Sequence, residues 1–178
     1  MDLSGTTDER LMQRVAAGDT TALEILMRRW HCSLHAFILH QGGAEPEDLY
    51  QETWIKVVRA AGTFEPTKSF RAWLFRIVLN VCRDAHRASE ARPRTVGIEA
   101  AADIPAQREQ PDTETERLRE CMAGLPTQDR EILSLRYYQG MTEMEVAGVM
   151  GIPVGTVKSR AHAAVAKLRE TMKGNGHG

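Results

Sequence analysis

Residues 141–170 read MTEMEVAGVMGIPVGTVKSRAHAAVAKLRE, and this pattern predicts a helix, a tight turn and a second helix. Thr142 and Glu145 have the spacing of a capping box, in which each side chain bonds a backbone N–H group at the helix start. Gly151 can adopt the left-handed conformation that ends a helix, and Pro153 fixes φ ahead of the next one. In that helix the apolar residues recur at three- and four-residue steps, at Val157, Ala161, Ala164, Val165 and Leu168. The stretch therefore predicts a helix-turn-helix.

The second of these helices carries hydrogen-bond donors on the face opposite its apolar stripe. The donors suited to phosphates or base edges are Thr156, Lys158, Ser159, Arg160 and His162. A recognition helix presents such groups to the major groove of duplex DNA from its N-terminal half. This pattern favours DNA binding over the alternative, which is a solvated amphipathic helix whose basic face has no partner.

The composition is typical of a helical intracellular protein. The 178 residues carry a net charge of -1, so any affinity for nucleic acid must come from segregated charge. The three cysteines lie far apart without a C-x-x-C motif, so neither a disulfide scaffold nor a cysteine-rich zinc site is indicated. The N-terminus lacks a signal-peptide pattern, and no window approaches a membrane span. We therefore expect a cytoplasmic protein without direct membrane insertion.

Two helices are predicted at the start of the chain. Thr6 and Glu9 have capping-box spacing, and the apolar residues Leu11, Val15 and Ala16 follow before Gly18. The next helix is longer, and Gly42 and Gly43 end it. Its apolar positions keep helical spacing at Leu23, Leu26, Met27, Trp30, Leu34, Phe37 and Ile38. One broad face of this helix is therefore predicted to be buried.

A third helix is predicted to begin at Glu45-Pro46, because proline loses no hydrogen bond in the first turn. Its inward positions are Leu49, Tyr50, Trp54, Val57, Val58 and Ala61. Acidic residues cluster in its first two turns, at Glu45, Glu47, Asp48 and Glu52. This cluster either compensates the helix dipole or forms an acidic docking surface, and composition alone leaves both readings open.

The fourth helix, residues 70–87, follows the loop TFEPTKS at residues 63–69. Its predicted apolar stripe is Phe70, Trp73, Leu74, Ile77, Val78, Val81 and Ala85. Its polar or basic positions are Arg71, Arg76, Asn80, Arg83 and Arg87. A basic helix beside an aromatic-bearing loop suits single-stranded nucleic acid, although a solvated basic face remains an equal alternative.

The apolar period disappears after the fourth helix, which predicts a flexible linker between two small helical domains. The predicted boundaries are residues 1–88 for the first domain, 89–111 for the linker, 112–173 for the second domain and 174–178 for a tail. The second domain begins with a helix whose apolar face is Leu118, Cys121, Met122 and Leu125. Pro126 opens a further helix that ends at Gly140. The fold is therefore predicted to be all-α.

The chain resembles the extracytoplasmic-function (ECF) sigma factors, small two-domain members of the sigma-70 family of bacterial transcription initiation factors. AEPEDLYQETWIKV, residues 44–57, is similar to the D-x-x-Q-E-x-F element of that family. Residues 70–87 resemble its W-L-x-x-I-x-x-N-x-x-x-D-x-x-R helix, and residues 125–169 resemble its DNA-binding domain. Trp54 stands where phenylalanine is commoner, and Ala163 and Val165 stand where arginine is frequent.

The resemblance implies three sets of contacts. A coiled coil of a large subunit of core RNA polymerase would bind Asp48, Gln51, Glu52 and Thr53. The melted non-template strand of the downstream promoter element would bind Thr63, Phe64, Lys68, Ser69, Arg76, Asn80 and Arg83. The duplex upstream element would bind Thr156, Lys158, Ser159, Arg160 and His162. The resemblance further implies no intrinsic catalysis, no cofactor and control by an anti-sigma factor.

Three other functions compete with this interpretation. His31, Cys32 and His35 lie within about one helical turn and could present two nitrogens to a metal, but the sequence places no third ligand or carboxylate base beside them. A decoy that binds an anti-sigma factor without binding DNA would be expected to lose the basic recognition helix. A single-domain repressor would leave the first domain unexplained.

Overall fold

The computed structural model describes residues 5–41, 45–91 and 113–174, and every regular element within these ranges is helical. The elements are α1 (Asp8–Ala16), α2 (Thr20–Gln41), α3 (Pro46–Ala60), α4 (Phe70–Ala91), α5 (Thr113–Ala123), α6 (Thr127–Leu133), α7 (Glu143–Met150) and α8 (Val154–Gly174). A 3₁₀ turn, Ala61–Thr63, follows α3, and a π-helical turn, Ser134–Tyr138, follows α6. None of the described helices is long and apolar enough to cross a bilayer.

The first helix begins one residue later than the sequence indicated. Thr7, not Thr6, is the N-cap of α1, and its hydroxyl accepts a hydrogen bond from the Arg10 backbone N–H. Glu9 does not complete a capping box, because its Oε1 instead accepts the Phe70 backbone N–H at 3.0 Å. This carboxylate therefore connects α1 to the exposed amides at the start of α4.

Helices α1 to α4 form the first domain around a shared apolar core. Trp30 packs edge-on against Phe70 and Phe75, and Phe37 packs against Phe75 at a ring-centroid distance of 5.3 Å. Val58, which was predicted to face inward, lies on the surface, whereas its neighbour Val57 is buried as predicted.

α4 is buried on a wider face than its predicted stripe. Phe75, Leu79 and Cys82 are buried in addition to the predicted positions Phe70, Leu74, Val78 and Val81. This helix contacts α1, α2, α3 and also α7 of the second domain, so more than one stripe is covered. It also continues to Ala91, so residues 89–91 of the predicted linker are helical. The rest of that linker, 92–111, lies outside the described residues, as do residues 175–178 of the predicted tail.

The second domain contains α5 to α8 and has the predicted helix-turn-helix at its C-terminal end. Gly140 and Gly151 both have positive φ, at 62° and 69°, and they separate the π-helical turn, α7 and α8. Val157, Ala161 and Ala164 are buried as predicted, and so are Cys121, Met122 and Leu125 near the end of α5.

The two domains pack directly on each other. Buried residues of α6 and α7, among them Ile132, Val146 and Val149, belong to the same apolar cluster as the core of α1 to α4. α4 contacts α7, and α2 contacts both α6 and the π-helical turn. The sequence predicted two small helical domains but did not indicate this contact between them, which forms because α4 is apolar on more than one side.

Candidate nucleic-acid interface

The turn of the helix-turn-helix is fixed by local hydrogen bonds. The Thr142 hydroxyl accepts the Glu145 backbone N–H at 3.2 Å, and Glu145 Oε2 accepts the Thr142 backbone N–H at 2.8 Å. The capping box is thus complete, and these bonds lower the pKa of Glu145, first through the Thr142 backbone and then through the Thr142 hydroxyl and the charge of Arg71. Gly151 ends α7 in the left-handed conformation, as the sequence indicated.

The N-terminal half of α8 presents its polar side chains to solvent. Lys158, Ser159 and His162 are exposed, while Thr156 and Arg160 are partly buried. The Ser159 hydroxyl donates to the Thr156 carbonyl at 3.2 Å, so it is turned back along the helix. Lys158 is an exposed cation in the first two turns of α8, whereas Val157 and Ala161 are buried.

Arg160 is held by a partner inside the second domain. Its Nη1 lies 3.1 Å from Oδ1 of Asp129 on α6, and the Asp129 side chain is only 17% exposed. The Arg160 side chain retains 42% of its exposed surface. This ion pair positions the guanidinium at the edge of α8 and ties α8 to α6.

A cleft of about 560 Å³ opens beside the recognition helix. Its lining includes Lys158, Ser159 and His162 of α8 together with Arg136 and Tyr137 of the π-helical turn. The Tyr137 side chain is strongly exposed, whereas Arg136 donates to the Met141 carbonyl at 2.8 Å. The sequence analysis counted these residues as part of a regular helix and so missed the π-helical turn.

The loop between α3 and α4 has both exposed and buried members of the predicted strand-binding set. Thr63, Lys68 and Ser69 are exposed, and the Ser69 hydroxyl caps α4 by accepting the Ala72 backbone N–H. Phe64 was predicted to contact DNA, but it is buried and packs against the rings of Phe70 and Trp73. This packing corrects the expectation that Phe64 contacts DNA, because its ring packs under the loop and faces the core.

A second cleft, of about 430 Å³, lies between this loop and α1. It is lined by hydrogen-bonding side chains of Thr7, Glu9, Arg10, Gln13, Thr67, Lys68 and Ser69, and by Pro66. The cleft is polar and open to solvent at the base of α4.

The predicted strand-binding residues on α4 differ in their surroundings. Asn80 is exposed. Arg76 donates to the Gly148 carbonyl at 2.5 Å, and Arg83 binds both carboxylate oxygens of Glu131 at 2.8 and 2.7 Å. Asn80 lies about 16 Å along the helix axis from Ser69, so the loop and the helix form one extended surface.

The acidic turn of α3 faces solvent at three of its four predicted docking residues. Asp48, Gln51 and Glu52 are exposed, and Glu52 pairs with Lys56 at 3.1 Å. Thr53 is fully buried, and its hydroxyl donates to the Leu49 carbonyl at 2.7 Å. The structure therefore removes Thr53 from the predicted docking surface, because its side chain satisfies its own helix and faces the core.

The sequence prediction missed two apolar residues on the same face of α3. Ile55 and Val58 are about half exposed, one and two turns beyond Gln51. The predicted inward stripe of α3 omits Ile55, so the helical period already indicated that this side chain faces solvent. Val58 was predicted to face inward together with Val57, and only the packing shows that Val58 is exposed.

The histidines on α2 are explained by a neighbouring carboxylate. His35 Nε2 lies 3.2 Å from Glu47 Oε1, and this hydrogen bond is the largest cause of a lowered pKa of Glu47. The ring of His31 packs edge-on against Tyr50.

Burial raises the pKa of the Cys82 thiol to about 12, so that cysteine stays protonated. The described part of the chain holds no group of three His, Cys, Asp or Glu side chains arranged for a metal ion.

Comparison with known proteins agrees with this geometry. The family described as Sigma-70 region 2 matches residues 26–92, and Sigma-70 region 4 matches residues 115–168. The ECF RNA polymerase sigma factor SigM of Mycobacterium tuberculosis is 32% identical, with 91% of this chain and 83% of SigM covered. The chain belongs to the ECF sigma factors. As a sigma factor, it is a transcription initiation factor.

Two solved structures of sigma factors share the fold. CnrH, in complex with the cytosolic domain of CnrY, has a TM-score of 0.75 and 29% identity, with 95% of this chain and 99% of CnrH covered. RpoE of Bartonella quintana, in complex with the anti-sigma factor NepR, has a TM-score of 0.71 and 26% identity, with 85% of this chain and 96% of RpoE covered. The all-α fold and the family predicted from the sequence are confirmed.

Proposed function

We propose that this sigma factor directs core RNA polymerase to promoters through three separate surfaces. The docking surface is the exposed face of α3, the strand surface is the 63–69 loop with α4, and the duplex surface is the N-terminal half of α8. The observation that carries the proposal is the exposed cation Lys158 at the start of a complete helix-turn-helix. A decoy without DNA-binding activity would not need this surface.

The docking surface combines charge with apolar area. Asp48, Gln51 and Glu52 supply acceptors, while Ile55 and Val58 add exposed aliphatic side chains on the following turns. A coiled coil of a large polymerase subunit would complement such a face if it presents basic and apolar side chains. The acidic cluster then serves binding in addition to compensating the dipole of α3.

The two DNA surfaces act on different forms of the promoter. Thr156, Lys158, Ser159, Arg160 and His162 form the proposed duplex surface for the upstream element. Thr63, Lys68, Ser69, Arg76, Asn80 and Arg83 form the proposed strand surface for the melted downstream element. Guanidinium and ammonium groups would hold phosphates, and the exposed Asn80 amide offers both a donor and an acceptor to a base edge.

An anti-sigma factor is the proposed inhibitor. CnrH and RpoE were solved with CnrY and with the anti-sigma factor NepR, and both share most of their length with this chain. The exposed apolar and acidic residues of α3 would be a natural target for such a partner, since covering them prevents polymerase binding.

Nucleotide addition is assigned to core polymerase and not to this chain. The sigma factor would act in the cytoplasm, where polymerase and chromosome meet. Its own residues would choose the promoter and hold the melted strand.

The proposed function is tested by transcription in vitro from genomic DNA with core polymerase and the purified chain. Asp48→Arg should lower core binding and core-dependent transcripts by about tenfold or more, since a reversed charge meets a like charge across the interface. Glu120→Arg makes the same charge change at an exposed site on α5 and should leave both unchanged. Transcripts made without core polymerase, or undiminished core binding by Asp48→Arg, would contradict the proposal.

A further inference from the structure

A cleft of about 360 Å³ lies between the end of α2 and the segment from α5 to α6. Most of its lining is apolar and consists of Ala36, Leu39, Met122 and Ala123. Leu39 remains 55% exposed, so the described residues leave apolar surface uncovered beside the cleft. Small-molecule sites have volumes of this order and combine apolar walls with a few polar groups. None of the lining residues belongs to the three proposed surfaces.

Arg130 is the one permanently charged residue in this lining. Its side chain is partly buried, and it forms no ion pair with a carboxylate among the residues that the structure describes. Its Nη1 makes only a long contact, 3.4 Å, to the Ala123 carbonyl. Its Nε is buried and has no hydrogen-bond partner in the same part of the chain. A partly buried guanidinium with unused donors favours an anion, because its lost hydration is otherwise not replaced.

Gln41, the last residue of α2, supplies a second unused donor. The residue is only 2% exposed, and its Nε2 has no hydrogen-bond partner within the described ranges. Its backbone carbonyl accepts a hydrogen bond from His86 Nε2 at 3.2 Å, which holds the end of α2 against α4. A buried amide donor without an acceptor costs free energy. Because the last torsion of a glutamine side chain is soft, the amide can turn toward an acceptor in the cleft.

We propose that this cleft is a binding site for a small amphipathic carboxylate, that is, one ionised carboxyl group joined to a short apolar chain. The carboxylate accepts from the Arg130 guanidinium and the Gln41 amide, while the chain packs against Leu39 and Met122. One carboxylate balances the one permanent charge of the lining. An inorganic anion would leave the apolar walls uncovered, and a neutral apolar molecule would leave Arg130 without a counter-charge.

A purely structural role of Arg130 is the competing explanation. In that case the guanidinium serves only the last carbonyl of α5, as basic side chains do at the C-terminus of a helix. This explanation leaves the donor of Gln41 without a role, since no described helix end uses it. The two explanations differ in whether the natural chain binds a carboxylate at this place.

The site is tested with hexanoate and the purified full chain. A titration followed by proton–nitrogen correlation NMR should give saturable shifts at residues 36–41 and 122–130, with a Kd on the order of 1 mM for a ligand of this size. Hexanol has the chain without the charge, and acetate has the charge without most of the chain, so each should bind at least tenfold more weakly. Because the ligand contacts both α2 and α6, hexanoate at ten times its Kd should raise the melting temperature by about 3 to 6 °C.

Two variants remove the polar contacts one at a time. Gln41→Leu and Arg130→Met should each weaken hexanoate binding by about tenfold or more, since each removes hydrogen bonds to a charged group. Gln13→Leu and Arg87→Met make the same changes at exposed positions of α1 and α4 and should leave hexanoate binding unchanged. Gln41→Leu should also keep or raise the melting temperature, because an apolar side chain of similar size removes a donor that has no acceptor.

Arg130→Lys keeps the result interpretable if Arg130→Met disturbs the end of α5. Lysine retains the charge but lacks the planar fork, so hexanoate binding should weaken while the helical circular dichroism stays unchanged. Unweakened binding by this variant would contradict a direct contact between Arg130 and the carboxylate.

Several results would overturn the proposal. Absence of saturable shifts well above the expected Kd would leave only the structural role of Arg130. Binding of acetate as tight as that of hexanoate would indicate a simple anion site, and equally tight binding of hexanol would indicate an apolar cavity. Equal losses in the variants and their controls, or a lower melting temperature of Gln41→Leu, would also contradict the assignment. These measurements need neither core polymerase nor DNA, so they are independent of the transcription test of the proposed function.

Discussion

The two basic surfaces of this sigma factor differ in what occupies them. On α8, Lys158 and His162 are exposed and carry no ion pair among the described residues. On α4, Arg71, Arg76 and Arg83 all bind groups of the second domain. A basic helix is therefore not by itself an available DNA-binding surface, because the arrangement of the domains decides which cations can reach phosphates.

Among the variants that test this difference between α4 and α8, Arg83→Ala should have the largest effect. Arg83→Ala leaves Glu131 without its cation, and breaking a buried pair from one side costs about 3 to 5 kcal/mol. We expect a lower free energy of unfolding in urea and a larger radius of gyration. Arg83→Ala should not strengthen binding to single-stranded DNA, because Arg83 itself belongs to the proposed strand surface.

Arg87→Ala is the matched control, one turn further along α4. Arg87 is 75% exposed and pairs with Asp84 on the same helix, so its loss should change the free energy of unfolding by less than about 1 kcal/mol. Equal effects of the two variants would show that the Arg83 pair is no more important than a surface contact.

Lys158 and Asn80 should separate the two surfaces by their DNA substrates. Lys158→Ala should weaken binding to all duplex sequences and reduce the salt dependence by about one unit, as expected for a lost phosphate contact. Asn80→Ala should leave duplex binding unchanged. It should impair transcription from a pre-melted template, because Asn80 belongs to the proposed surface for the melted downstream element. The measurements are duplex binding against salt and transcription from a pre-melted template.

Lys173→Ala removes an exposed cation at the other end of α8 and serves as the control for Lys158. Equal failure of the Lys158 and Asn80 variants on pre-melted DNA would show that the two surfaces do not act separately.

Substitution of Asp129 should reveal whether Arg160 reads a base or joins α6 to α8. If Arg160 reads a base edge, Asp129→Asn frees the guanidinium, and duplex binding should be kept or improved while Arg160→Ala costs ~1 to 3 kcal/mol at one base position. If the ion pair mainly joins α6 to α8, both variants should lower the thermal stability and neither should relax specificity. We expect the first result, because 42% of the Arg160 side chain is still exposed.

The smallest expected effect is the pH dependence of Glu145. Its pKa in the folded chain is lowered from 4.5, so the carboxylate stabilises the fold above that pH and loses its contribution as pH falls through the lowered pKa. The natural chain and Glu145→Gln should therefore differ in unfolding free energy at neutral pH, by less than about 1 kcal/mol for a partly exposed group. Denaturant titrations at several pH values should show this difference vanish in acid, and a constant difference would contradict it.

The helix-turn-helix could be predicted in detail because its signals are local. Thr142, Glu145, Gly151 and Val157 all have the roles that their spacing indicated. A cap, a left-handed glycine and an apolar stripe depend on residues within two turns, so sequence patterns capture them. The start of α1 was placed wrongly because Thr6 and Thr7 are both capable caps, and Glu9 is used by α4 instead.

Burial that depends on distant partners could not be predicted. Thr53 and Phe64 look like surface contacts in the motif, yet one bonds within its own helix and the other supports a loop. Glutamate is seldom fully buried, so the sequence does not indicate burial of Glu131, which α4 encloses through Arg83. The single apolar stripe predicted for α4 also contains too few of its buried positions. Because this helix is covered on two sides, additional residues such as Leu79 are buried.

The distance between α4 and α7 tests the central claim most directly. Spin labels at the exposed positions Ala88 and Met144, in a Cys32→Ser background, report this distance by pulsed electron paramagnetic resonance. We expect one short, narrow distance distribution for the free chain and a longer one after core polymerase and promoter DNA are added. A long or broad distribution in the free chain would contradict the account.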